Sequence, residues 1–304
     1  MNFHQLRVFY EVAKARSFTA AAEKLYLTQP AVTLQIHNME VYYNAKFFEH
    51  IGKQIVLTHA GEILFEFAEK IFSLSRQAED AITDFRKLKR GVLRIDSVFT
   101  FADYYLPVLL KAFYKKYPGI TIKIQTGNTS QIIENTLLHK NDIAFVADRP
   151  ETDKLVAKEF LSDQLVVIVS PHHKFAGRES VALDELNGEP LILREQGSSP
   201  RKILDEVFRK KGMSPEIVME SGSTTAIKRA VEHDMGMAVL SHQAVEKEMR
   251  DGVLMGLRFS DVEISYQFFL IHHKDKYLSS LLQAFLDISV EYGSKLSETK
   301  KEIT

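Results

Sequence analysis

The sequence contains no cysteine, which removes disulfides, thiolate metal ligands and a cysteine nucleophile together and suits a reducing compartment. It has no run of about 18 apolar residues, the length a membrane helix needs. Met1 to Arg7 includes His4, Gln5 and Arg7 and feeds an amphipathic pattern instead of the apolar core of a signal peptide. A cytoplasmic protein with no membrane partner is expected. A charge excess is lacking too: 39 Lys and Arg face 40 Asp and Glu, a net charge of −1. No global positive field draws such a chain to nucleic acid, so any DNA contact must come from a local surface. There is no internal repeat, P-loop, dinucleotide fingerprint or Gly-x-Ser-x-Gly elbow, and no enzyme is expected. His172-His173 and His272-His273 point within each pair to opposite faces of a strand and have no cysteine or closely spaced carboxylate partner, so neither a metal nor a cofactor is expected.

What is present is a 304-residue chain that is 45% hydrophobic, enough for one or two globular domains and a connecting element. In residues 3–58, Leu6, Phe9, Tyr10 and Ala13 fall at helical spacing, as do Val32, Ile36 and Met39. Between them Ser17 is placed to cap a helix whose alanines allow close crossing. Phe47 to Leu57 reads as a two-stranded wing turning at Ile51-Gly52-Lys53. Residues 59–90 then carry Ala60, Leu64, Phe67, Ile71, Leu74, Ala78, Ala81, Phe85 and Leu88 at alternating spacings of four and three, the heptad seam of a long linker helix that either pairs with another chain, the expected outcome, or packs on its own domain. It ends on Arg86-Lys87-Leu88-Lys89-Arg90 and Gly91, cations and a glycine suited to a helix C-terminus.

In a helix-turn-helix the second helix enters the major groove. Here it begins at Gln29-Pro30-Ala31, with proline at a first helical position and Thr28 ahead as cap. With Val32, Ile36 and Met39 turned inward, Pro30, Thr33, Leu34 and His37 turn outward and Gln29 stands at the margin. Gln29 suits adenine or a phosphate, Thr33 offers a hydroxyl, and Leu34 can meet a thymine methyl. Residues 1–58 hold six Lys and Arg against four Glu, a surplus of two with the right sign.

These residues resemble the LysR-type regulators: Ser17-Phe18-Thr19-Ala20-Ala21-Ala22, Leu27-Thr28-Gln29-Pro30-Ala31-Val32-Thr33-Leu34-Gln35-Ile36, Met39-Glu40, Phe47-Phe48-Glu49 and Leu57-Thr58-His59-Ala60-Gly61. The resemblance implies contacts to double-stranded DNA from Gln29, Pro30, Thr33 and Leu34, and a wing whose Lys53 reaches the flanking minor groove. It also implies a homodimer through the linker helix, a homotetramer of dimers, and RNA polymerase as a further partner. The chain departs from the family in three places here. Asn44 replaces a usual glycine, His50 a usual wing arginine, and Leu34 a usual polar or basic residue.

Beyond Gly91 the chain alternates short apolar strands, at 92–98, 120–126, 142–147, 164–170, 190–194, 216–220, 237–240 and 264–272, with helical stretches. That pattern is α/β with mainly parallel crossovers. Such sheets bind ligands beyond the C-terminal ends of their strands. The junctions there carry Ser97 and Thr100, Asn128 and Thr129, Ser198 and Ser199, and Thr224 and Thr225, each either a helix cap or one wall of a polar, anion-accepting pocket. Arg201 either pairs with an anionic effector or faces solvent. The resemblance continues through Tyr105-Leu106-Pro107, Tyr117-Pro118-Gly119-Ile120, Asp142-Ile143-Ala144-Phe145, Gly197-Ser198-Ser199-Pro200-Arg201 and Gly236-Met237-Ala238-Val239-Leu240. It implies a periplasmic-binding-protein-like pair of subdomains with a small-molecule effector between them, and Pro200 stands where many members have threonine.

The expected architecture is therefore a winged helix-turn-helix over 1–58, a dimerising linker helix over 59–90 and a two-subdomain α/β effector domain over 91–304. Subdomain I takes about 91–161 and 268–304, and subdomain II about 162–267. The competing reading is a solute-binding protein or α/β enzyme with an incidental helical N-terminus. The heptad linker and the recognition-helix motif separate the two.

Overall fold

The computed structural model describes residues 1–52, 54–83 and 91–301. The chain divides into two compact units, one of Met1–Thr83 with Leu138–Lys140 and one holding the remaining described residues. Lys53, Phe85, Leu88 and the basic run at 86–90 lie outside the described residues.

The first unit contains α1 (Phe3–Ala15), α2 (Phe18–Leu25), α3 (Gln29–Tyr43), a hairpin of β1 (Phe48–Ile51) and β2 (Gln54–Leu57), and α4 (His59–Thr83). Each of the first three helices starts on a side chain that satisfies a free N–H. Asn2 forms a capping box with Gln5, Ser17 Oγ accepts from Ala20 N at 3.2 Å, and Thr28 Oγ1 from Ala31 N at 3.4 Å. Val8, Phe9, Val12, Ala21, Val32, Ile36, Met39 and Phe47 form the core, as the helical spacing requires. Asn44 ends α3 at φ 48°, the left-handed conformation that glycine takes readily and asparagine tolerates.

The heptad seam expected on the linker divides in two. Ala60 and Leu64 pack into the N-terminal core with Phe65, Ala68 and Phe72, because the first turns of α4 must cover that small domain. A second stripe, Ile63, Phe67, Ile71, Leu74 and Ile82, stays exposed, within about 100° of arc on the helix.

The second unit is a mixed sheet with helices on its faces. Its chain order is β3 (Gly91–Val98), α5 (Phe99–Tyr104), α6 (Leu106–Lys116), β4 (Ile120–Gly127), α7 (Thr129–Leu137), β5 (Ile143–Ala147), β6 (Leu155–Val169), β7 (Ser180–Val181), β8 (Pro190–Arg194), α8 (Ser199–Lys211), β9 (Glu216–Ser221), α9 (Thr224–Glu232), β10 (Met237–Ser241), α10 (His242–Arg250), β11 (Met255–Phe259), β12 (Ser265–His273) and α11 (Ser280–Lys301). The strand order is β4-β3-β5-β12-β6-β10-β8-β9. Pairings of β3 with β4 and β5, and of β8 with β9 and β10, are parallel. β12 runs antiparallel to β5 and β6, and β6 antiparallel to β10 and β11.

Two strands join the subdomains. Leu155 to Gln164 of β6 pairs with β12, whereas Leu165 to Ile168 pairs with β10, so the halves meet near Asp163 and Tyr266. β6 begins at Leu155 instead of Gln164, and α10 and β11 are absent from the sequence reading. Lys158 and Glu159 interrupt the apolar run that announces a strand, yet the ladder to β12 holds them extended. In the connection from α9 into β10, Gly236 sits at φ +149°, and a Cβ there would stand 2.3 Å from Pro190 O of the neighbouring β8. Only glycine fits.

Candidate functional site

Val32, Ile36 and Met39 bury one side of α3 while Thr28, Gln29, Pro30, Thr33, Leu34 and His37 are all exposed. The sequence-predicted reading face is thus one continuous surface. Thr33 Oγ1 donates to Gln29 O at 3.0 Å and accepts from Gln29 Nε2 at 3.3 Å, so the two polar side chains are held together a turn apart. Ser17 is half-buried under its capping bond, and His50 is exposed on β1.

The hairpin is fixed to this helix by a residue whose role the sequence reading missed. Glu40, buried on α3, accepts from Phe47 N at 2.9 Å and from Lys46 Nζ at 2.6 Å. From the other side Thr58 Oγ1 donates to Lys46 O at 2.5 Å and accepts from Gly61 N at 3.1 Å. A Cβ on Gly61 would lie 2.1 Å from Phe47 O. The Met39-Glu40 and Thr58-x-x-Gly61 pieces are therefore one corner that sets where the wing stands relative to α3.

In the second unit a cleft is lined by Thr100, Asn128, Thr129, Ser198 and Ser199, with Arg194 and Tyr266 beside them and Val98, Phe99, Pro200 and Phe268 as apolar walls. Its enclosed space is about 20 Å³, room for a water and little more. Thr129 and Ser199 hydroxyls lie 2.9 Å apart and both bond to Ala147 O. Asn128 Oδ1 caps α7 through Gln131 N at 2.9 Å, whereas Ser198 donates to Glu195 O at 3.0 Å and makes no cap bond to α8. The start of α8, where Pro200 has no N–H to offer, therefore carries no side-chain cap.

Four sequence candidates lie elsewhere. Ser97 is buried and turned to Val98 O at 3.1 Å. Thr224 is buried and accepts from Arg194 Nη1 at 3.4 Å, and Thr225 is exposed on α9, whose cap is Ser223. Arg201 neither faces solvent nor enters the cleft. Its guanidinium is buried and donates to Asp205 at 2.8 Å, Glu220 at 2.8 Å and Arg194 O at 2.9 Å, tying α8 to β8 and β9. The cation in the cleft is Arg194, which stacks 5.9 Å over Phe99 and is matched by Glu195 at 2.9 and 3.1 Å. Its place at the C-terminal end of a strand was the signal that could have nominated it. Among the described residues, no group of three or more His, Cys, Asp and Glu is arranged to hold a metal.

Residues 3–62 match the model of the bacterial regulatory helix-turn-helix protein, lysR family, and residues 86–294 match the LysR substrate binding domain. The chain belongs to the LysR family. It is a transcription regulator with an N-terminal DNA-binding helix-turn-helix and a two-subdomain α/β domain for a small-molecule effector. Among its relatives, the HTH-type transcriptional activator CmpR of Synechocystis sp. is 36% identical over 97% of both chains. Full-length CbnR, solved with its target DNA, aligns at TM-score 0.72 and 22% identity over 96% of this chain and 100% of that one. The CcmR regulatory domain of Synechocystis, solved with 2-PG, aligns at TM-score 0.62 and 32% identity over 66% of this chain and 97% of that one. Within this LysR regulator, no helix among the described residues is long and apolar enough to cross a membrane.

Proposed function

We propose that this regulator reads its operator with Gln29, Pro30, Thr33, Leu34 and His37 on α3, supported by Ser17, Thr28, His50 and Lys53. We infer further that it is switched by a small polar anion in the cleft between Thr100, Asn128 and Thr129 on one side and Arg194, Ser198 and Ser199 on the other. The observation that carries the effector reading is the meeting of these hydroxyls, one arginine and the uncapped start of α8 in one enclosed space. Anions favour helix N-termini and arginine. The 2-PG bound by CcmR makes a small phosphorylated or carboxylated acid the first class to try.

The domains divide as a winged helix-turn-helix over 1–58, a linker helix over 59–90 and a periplasmic-binding-protein-like domain over 91–304. The linker pairs two chains through Ile63, Phe67, Ile71, Leu74 and Ile82, apolar side chains that the single chain leaves exposed. Dimers join as homotetramers and act with RNA polymerase in the cytoplasm, where the DNA is. The protein acts as a regulator and not as an enzyme, in keeping with its relatives, which are transcription regulators.

The test is binding to DNA upstream of its own and neighbouring genes over a salt series, with and without 2-PG. A preference over random DNA that 2-PG alters supports the reading; no preference at moderate salt removes it.

A further inference from the structure

The cations of residues 1–58 divide by whether the chain already holds them. Lys24 Nζ lies 2.5 Å from Glu11 and Lys46 Nζ 2.6 Å from Glu40. Arg7, Lys14 and Arg16 are exposed and make no ion pair among the described residues. Two of these three stand together. Lys14 and Arg16 line a groove of about 370 Å³ between the end of α1 and the hairpin, walled by Val12, Phe48, Leu57 and Phe65. Glu62 borders the same groove, largely exposed and 3.9 Å from His59 Nδ1, so two cations there face one carboxylate.

Arg16 is the more telling of the pair. It ends α1 at φ 49°, the left-handed conformation that strains an ordinary L residue and suits glycine. Lys14 Nζ at least lies 5.5 Å over the Tyr10 ring. The guanidinium of Arg16 makes no hydrogen bond or ion pair among the described residues, so nothing inside the N-terminal unit accounts for a long cation at that corner.

The position of the groove names the anion it suits. Arg16 directly precedes Ser17, the cap of α2, and α2 packs on α3 through Ala21, Ala22, Val32 and Ile36. The other wall of the groove belongs to the hairpin, which Glu40 ties to α3. Both walls are thus built onto the helix that reads DNA. Backbone phosphates supply the sequence-independent part of protein–DNA affinity and set the register in which bases are read.

We propose that Lys14 and Arg16 hold the phosphate backbone of a DNA strand passing between the α1–α2 corner and the hairpin, while α3 reads the bases. This rests on the DNA reading above and extends it to a contact that positions the duplex without reading its sequence.

The experiment titrates operator and scrambled duplexes with the full chain over a salt series. Wild type is compared with Arg16→Gly, Arg16→Lys, Lys14→Gln and a distant charge control, Lys274→Gln, and each is melted. Arg16→Gly keeps the left-handed corner and should melt no lower than wild type. It should weaken binding to both duplexes about threefold to tenfold, and flatten the slope of log affinity against log salt by about 0.9 for every head on the DNA. Lys14→Gln should do the same, Arg16→Lys should keep the wild-type slope, and Lys274→Gln should change neither slope nor affinity. An unchanged slope in Arg16→Gly, a loss confined to the operator, a slope lost equally in Arg16→Lys, or a lower melting temperature in Arg16→Gly overturns the inference. A wild type without operator preference removes the reading by α3 itself. Operator preference intact, with the Arg16→Gly slope unchanged, removes this inference alone.

Discussion

The hydroxyls of Thr129 and Ser199 stand 2.9 Å apart, although 70 residues separate them in sequence, and they share Ala147 O as acceptor. One comes from α7 of the first subdomain and the other from α8 of the second, so each satisfies the other across the cleft. An effector that enters must exchange these bonds for its own, and its affinity is the difference. Ser199→Ala should lower effector affinity by about tenfold and cost about 1 kcal/mol of stability. Calorimetric titration and thermal melting check both, and a double-mutant cycle with Thr129→Val should show non-additivity.

On the DNA side, Gln29→Ala should cost about 1–3 kcal/mol at the base it reads while changing binding to unrelated DNA little. Lys53→Ala should weaken binding to all sequences alike and reduce the salt slope by about one. Anisotropy titrations on operator and scrambled duplexes over a salt series separate these effects.

The wing corner predicts a different phenotype. Glu40→Ala strands the Phe47 N–H and should destabilise the N-terminal unit by about 1–3 kcal/mol. The exposed Lys46 partner adds little to that sum. Gly61→Ala, with its Cβ 2.1 Å from Phe47 O, should be worse. Hydrogen exchange of residues 47–61 should speed up in both before the effector domain changes.

Phe67→Glu and Leu74→Glu place charges on the exposed stripe of α4 and should yield monomers by sedimentation. Operator affinity should fall by about 10²-fold or more, since linked heads bind together.

Acid sensitivity should come from two histidines. Burial lowers the pKa of both His173 and His273, against opposing pulls from Glu189 and Asp275 respectively. A folded pKa below the unfolded value means the unfolded chain binds more protons in between. Their contribution is therefore present above about pH 6.5 and lost as pH falls through the depressed folded values. His173→Gln with His273→Gln should flatten melting temperature between about pH 7 and 5.

Local signals were the most legible. Ser17 and Thr28 announced their helices, and the spacing of Val32, Ile36 and Met39 turned Gln29 to His37 outward, because caps and amphipathic periods act within a few residues. Glycine-demanding corners could be suspected but not located, since Gly61 is set by a carbonyl 14 positions earlier in sequence. Arg201 was the opposite case. Its charge made it a ligand candidate, yet Asp205 and Glu220 already consume it.

Sequence by itself determined the class of this protein: a recognition helix with its caps, an apolar linker stripe, and alternating strands and helices. All of these follow from nearest-neighbour geometry and burial. Tertiary structure alone decided which half of the linker stripe stays exposed, that Arg194 is the cation of the cleft, and that Thr129 and Ser199 meet across it. Those outcomes depend on which distant backbones β6 and β12 bring together, and no local pattern encodes such a meeting.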